Sequence, residues 1–163
     1  MLGSDFTYVK TLGRVAAFRS FGPSLTWAQQ YTVGLGMGLQ SQTFPSIENF
    51  EAGGPSTLRG YEDKSVGPPP LGEGLRTGGA AVVVLNQEMR YHHATGLGAA
   101  VFYDVGNVYE RIRDIDFSLR HSIGAGLRYD SPVGLLRFDI GVPLNRRETD
   151  RSYQYYFSLG QAF

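Results

Sequence analysis

The 163-residue chain has no cysteine, which excludes both a disulfide framework and a thiolate metal site. Lysine is almost missing too: of fifteen basic residues only Lys10 and Lys64 are lysines, and the rest are arginines. That bias favours fixed, bidentate ion pairs over a loosely solvated cationic surface. The formal net charge is zero, so no polyanion is implied as a partner and nucleic acid binding is not expected. No run of 18 apolar residues occurs, so no transmembrane helix is encoded. The start, Met1-Leu2-Gly3-Ser4-Asp5, lacks the basic residues and apolar core of a signal peptide. Of the three histidines, His92 and His93 are adjacent and would face opposite ways on a strand. No metal and no cofactor is expected.

Glycine (22 residues) and aromatics (13%) are abundant, a pairing that suits a β protein with tight turns and large exterior rings. Period-two alternation recurs in seven segments: 6–20, 25–40, 80–91, 97–106, 118–129, 134–144 and 153–163. In 118–129, Leu119, His121, Ile123, Ala125, Leu127 and Tyr129 share one face, opposite Ser118, Arg120, Ser122, Gly124, Gly126 and Arg128. In 134–144, Leu136, Phe138, Ile140, Val142 and Leu144 oppose Arg137, Asp139 and Gly141. Gln29 and Gln87 break the alternation of their segments. The first segment is the least regular, with Lys10 and Arg14 among Phe6, Tyr8, Leu12 and Phe18.

A soluble antiparallel sheet would bury the apolar face, whereas a membrane barrel turns it to lipid and lines its lumen with polar and small residues. The second arrangement fits better. The polar face is rich in glycine and serine with scattered Arg, Asp and Glu, and the segments are long enough to cross hydrocarbon at a tilt. Tyr and Trp recur towards segment ends, where interfacial girdles sit. The connections also alternate: short at 21–24, 92–96 and 130–133, longer at 41–79, 107–117 and 145–152. Tight periplasmic turns and longer outside loops give that alternation. The expected fold is therefore all-β, an antiparallel transmembrane β-barrel segment of about seven strands. An odd count leaves an open edge, and unpaired backbone groups in lipid cost several kcal/mol each, so a larger barrel is expected.

The long connection 41–79 carries the most unusual stretch, Gly53-Gly54-Pro55-Ser56-Thr57-Leu58-Arg59-Gly60-Tyr61. A glycine pair, a turn and one arginine before Gly-Tyr give a loop with a fixed backbone and a single planar cation, a tip made to dock. Glu88 and Asp104 both fall on the polar face of consecutive strands, where they could present one acidic patch to a guanidinium. Paired carboxylates also serve acid–base catalysis, but no Ser-His or Cys-His pair accompanies them, so an enzyme is not expected. Gly34, Gly36 and Gly38 alternate on a strand and do not form a phosphate-cradling loop.

Together these motifs resemble the C-terminal half-barrel of the BamA/TamA outer-membrane assembly superfamily, which also includes the transporters of two-partner secretion. Residues 53–61, followed by Val66-Gly67-Pro68, are similar to that family's lid-loop signature of a hydrophobic residue, Arg, Gly and an aromatic. Asn86-Gln87-Glu88-Met89-Arg90-Tyr91 and Phe102-Tyr103-Asp104-Val105-Gly106-Asn107-Val108-Tyr109 resemble the two strands that follow. Ser131-Pro132-Val133-Gly134-Leu135-Leu136-Arg137-Phe138-Asp139 resembles the family's next turn and strand, with Leu135 where proline is common. The ending, Tyr156 to Phe163, is like a C-terminal assembly signal, assigned to Tyr155, Phe157, Leu159, Gly160 and Phe163.

The resemblance implies a bacterial outer-membrane location and a sixteen-stranded barrel of which residues 1–163 supply the C-terminal part. The POTRA domains and N-terminal strands would lie outside these residues. It implies a lid motif of Gly53, Gly54, Leu58, Arg59, Gly60 and Tyr61, with Glu88 and Asp104 as lumen partners of the arginine. The implied partners are the lipid bilayer, unfolded outer-membrane clients and accessory assembly lipoproteins. The implied activity is insertion of client β-barrels; the alternatives are a secretion pore for a soluble partner and a passive oligomeric porin.

Overall fold

The computed structural model describes residues 7–40, 42–69, 78–161 and 163. Phe6, Ala162 and the N-terminal pentapeptide lie outside the described residues. Seven strands form one antiparallel sheet in sequence order: β1 (Tyr8–Ser20), β2 (Leu25–Gly38), β3 (Ala81–His92), β4 (Leu97–Tyr109), β5 (Arg120–Ser131), β6 (Gly134–Pro143) and β7 (Gln154–Leu159). The first six run ten to fourteen residues, at or above the length that crosses hydrocarbon at a tilt. Among the described residues no helix is long and apolar enough to cross a membrane. Among the described residues β1 pairs only with β2, and β7 only with β6, so the sheet they form is open at both sides.

The strand phases divide the side chains as the alternation requires. Val101, Leu127, Phe157 and Leu159 lie on the outward face, each at least 60% exposed. Asn86, Glu88, Asp104, Ser122, Arg128, Arg137 and Asp139 point to the other side and are buried. What buries them is the long β2–β3 connection, folded back over the inner face. The lumen face is not polar throughout. Val82, Val84 and Val108 lie on it and join Phe50, Ala52, Leu58, Tyr61 and Val66 of the loop in the main apolar cluster. A lid carrying its own apolar residues needs an apolar bed, and these valines supply it.

The glycine stripe of β2 has the same cause. A Cβ at Gly34 would stand 2.7 Å from the Phe50 ring, and one at Gly36 would overlap the Phe44 ring. β1 also turns its mixed face inward: the register sets Tyr8, Lys10, Leu12, Arg14 and Phe18 opposite inward positions of β2. Lys10 Nζ bonds Glu48 at 3.1 Å, and Tyr8 stacks edge-on against Phe44. Segment 6–20 is irregular because Tyr8 meets the lid and Phe18 approaches Arg90 on the inner side, while Val9, Val15 and Ala17 face outward.

The two glutamines that broke the pattern are opposite one another on β2 and β3, on the outward face. Trp27 Nε1 donates to Gln87 Oε1 at 2.9 Å, and the Tyr31 hydroxyl donates to Gln29 Oε1 at 2.9 Å. On a lipid-facing wall these ring donors need acceptors. Gln87→Leu in the complete folded protein is expected to cost about 1–3 kcal/mol by orphaning the indole N–H, with Trp27→Phe recovering most of it. The urea midpoint in phospholipid vesicles reads this, and equal midpoints for Gln87→Leu with and without Trp27→Phe would refute the bond.

Segment 153–163 does not keep its alternation to the end. Tyr155, Phe157 and Leu159 are outward and exposed. β7 then stops, and Gly160 turns the chain with φ of +89°, a conformation that favours glycine. Phe163 leaves that face: its ring centre lies 5.0 Å from the guanidinium of Arg90, which also approaches Phe18 on the inner side.

Candidate functional site

The lid folds on itself before it docks. Single bridges pair Phe50 with Gly79 and Ala52 with Val66. Thr57 Oγ1 accepts from Gly53 N at 2.9 Å and donates to Gly53 O at 2.8 Å, while Gly54 N donates to Tyr61 O at 3.0 Å. Gly53 and Gly54 take φ of +109° and +92°. Gly60 has no such φ. It is required for space, since a Cβ there would overlap the Ser122 side chain and stand 2.9 Å from Pro143 N.

The folded tip presents Arg59, which is 1% exposed. Its Nε donates to Asp104 Oδ2 and its Nη2 to Asp104 Oδ1, both at 2.8 Å, a two-pronged contact. Nη1 donates to Glu88 Oε2, and the backbone N–H of Arg59 donates to Asp104 Oδ2 at 3.1 Å. The guanidinium lies 3.5 Å from the centre of the Phe102 ring. Burial alone would lower the Arg59 pKa, but the bonds and charges of Asp104 and Glu88 outweigh it and raise the pKa above the usual range. The arginine is therefore charged at any physiological pH.

The two acids are partnered differently. Glu88 Oε1 also accepts from Arg90 Nε at 2.8 Å and meets Arg128 Nη2 at 3.3 Å. Asp104 has Asn86 Nδ2 at 2.8 Å besides Arg59. Arg128 Nη1 bonds Asp139 Oδ1 at 2.7 Å, and Arg137 Nε lies 2.8 Å from Asp139 Oδ2. Arg137 Nη2 reaches across to the lid and donates to Pro55 O at 3.0 Å. Four guanidiniums thus share three carboxylates in a water-poor layer, where pairing offsets the cost of desolvation.

Asn86, Arg128, Arg137 and Asp139 were not among the residues expected at this site. Their phase on the polar face was visible, but a contact such as Arg137 to the Pro55 carbonyl leaves no mark in residue type. Tyr61, 2% exposed, ends the tip. Its hydroxyl lies 3.0 Å from His121 O and 2.8 Å from Asn145 Oδ1, and Arg120 stands over its ring at 4.8 Å. Leu58 is fully buried in the apolar bed. Glu88, Asp104 and the six lid-motif residues meet in this one region. Tyr155, Phe157 and Leu159 stand on the far side of the wall, and Gly160 and Phe163 lie past the end of β7. Among the described residues no group of His, Cys, Asp and Glu could hold a metal ion.

A meander of membrane-length strands, apolar outside and carrying an inward loop tied by a buried arginine, defines an integral outer-membrane β-barrel segment. The family model described as the Omp85 superfamily domain matches residues 1–163, and the chain belongs to that superfamily. It is 29% identical over 168 residues to the outer membrane protein assembly factor BamA of Nitratidesulfovibrio vulgaris, covering 99% of this chain and 21% of that protein. Against the BamA of Neisseria meningitidis serogroup B it is 24% identical over 195 residues, covering 99% of this chain and 24% of that protein. The crystal structure of BamA from Haemophilus ducreyi lacking POTRA domains 1–3 shares the fold, with a TM-score of 0.82 at 21% identity. That likeness covers 96% of this chain and 35% of the other. The chain spans between a fifth and a quarter of the length of these two curated relatives.

Proposed function

We propose that residues 1–163 form the C-terminal wall and lid of a sixteen-stranded outer-membrane barrel that follows POTRA domains, in a protein that folds and inserts client β-barrels. The observation that carries this reading is the seating of Arg59 between Glu88 and Asp104, beneath a loop with the family's lid signature. The assembly-factor names of the relatives support it. The complete protein works without a cofactor or a catalysed bond change: the lid seat stabilises the barrel state that receives an unfolded client. Accessory lipoproteins assist at the periplasmic side. Tyr155, Phe157 and Leu159, exposed on β7, act with Gly160 and Phe163 as the signal by which the barrel itself is recognised during its own assembly.

The test is client folding by the complete protein in proteoliposomes. A denatured outer-membrane β-barrel should become heat-modifiable and protease-protected faster than with empty vesicles. No acceleration, together with export of a soluble partner or steady ion conductance, would replace this reading with a secretion pore or a passive porin.

A further inference from the structure

β7 is the least secured strand. It makes six register pairs with β6, where the other neighbouring strands make ten or more. Its other edge is unpaired among the described residues. Yet its inward Tyr156 donates its hydroxyl to Tyr61 O at 2.6 Å. That carbonyl already accepts Gly54 N, the bond that closes the lid tip two residues from Arg59. Just beyond β6, Asn145 acts from the same side. Its Oδ1 takes the Tyr61 hydroxyl and His121 N, both at 2.8 Å, and its Nδ2 donates to Leu119 O at 2.7 Å. Arg147 Nη1 adds a bond to Gly67 O at 3.0 Å. The lid is therefore held from β3 and β4 through Arg59, and from the C-terminal hairpin through Tyr61.

We propose that Tyr156 and Asn145 are positioning residues that join the lid seat and the order of the last strand into one coupled unit. Displacing β7 from β6 withdraws the Tyr156 hydroxyl, loosens the turn at Gly54 and Tyr61, and so loosens Arg59. Unseating Arg59 frees Tyr61 and removes an inner contact of β7. Such coupling is reciprocal in free energy. The inference builds on the lid-seat reading of function, but it is measured without any client.

The test is amide hydrogen exchange on the full-length protein carrying this chain, purified in detergent. Tyr156→Phe, which keeps the ring, should speed exchange at Arg59 and Tyr61 as well as in 154–159 by roughly three- to tenfold, one hydrogen bond's worth. Asn145→Ala should do the same at the lid, and Arg59→Lys should speed exchange in 154–159 by a factor similar to that of Tyr156→Phe at the lid. Tyr155→Phe, on the outward face, should change neither. Faster exchange confined to β7 or to the lid, or no change, would overturn the coupling. Uncoupled exchange with client folding intact would overturn this inference alone. Coupled exchange without client folding would overturn the proposed function alone.

Discussion

Arg59→Ala is expected to destabilise the folded barrel by about 3–5 kcal/mol, the range for removing one partner of a buried ion pair. The damage should fall unevenly on the two acids. Glu88 retains Arg90 and Arg128, while Asp104 keeps only the Asn86 amide among its described side-chain partners. The orphaned charge is therefore Asp104, which is fully buried. Adding Asp104→Asn to Arg59→Ala should recover part of the loss, and adding Glu88→Gln should not. The readout is the temperature at which the folded band of the complete protein converts to the unfolded one on a semi-native gel. Equal rescue by both second substitutions would show that the two acids share the arginine evenly. Wild-type heat resistance and client folding in Arg59→Ala would remove the lid seat from the mechanism.

The second large effect needs no charge change. A Cβ at Gly141 would overlap the carbonyl of docked Arg59 and stand 2.9 Å from Gly60 N, both backbone atoms that cannot swing aside. Gly141→Ala should therefore expel the lid tip at a cost of about 3 kcal/mol, the upper end of the overpacking range. Gly13→Ala, whose Cβ would meet nothing closer than 3.9 Å, should be neutral or mildly stabilising. Once Gly141→Ala has displaced the tip, Arg59→Ala should add little further loss, the non-additivity expected of residues in one contact. Simple addition of the two losses would mean that the strand itself, rather than lid seating, suffers from Gly141→Ala.

The strands were legible because one period governs a wall with lipid on one side and a packed interior on the other. Arg59, Glu88 and Asp104 were legible because the tip carries one cation and the polar phase supplies two acids on neighbouring strands. Gln29 and Gln87 stood out as exceptions, but their partnership depends on a register joining residues 58 apart in sequence. The inward rings of β1 were misleading: Tyr8 and Phe18 have the chemistry of a lipid face but serve the lid and the inner arginine layer. Asn145 lies beyond the alternating strand, and the carbonyls of Pro55, Tyr61 and Gly67 that hold the lid belong to the backbone. Phe163 continued the outward pattern on paper, and one glycine at 160 was enough to break it.

The tip of the lid is sealed against the inner wall while its outer part stays open. The absence of cysteine makes this directly measurable with single thiols. Ile47 is 92% exposed and Leu58 is 0% exposed, and both belong to the same connection. In the complete protein, with any cysteines elsewhere removed, Ile47→Cys should react rapidly with a membrane-impermeant maleimide and Leu58→Cys should stay protected. The protection at Leu58→Cys should be lost when Arg59→Ala is added. Equal, rapid labelling at both positions with Arg59 intact would contradict a docked lid.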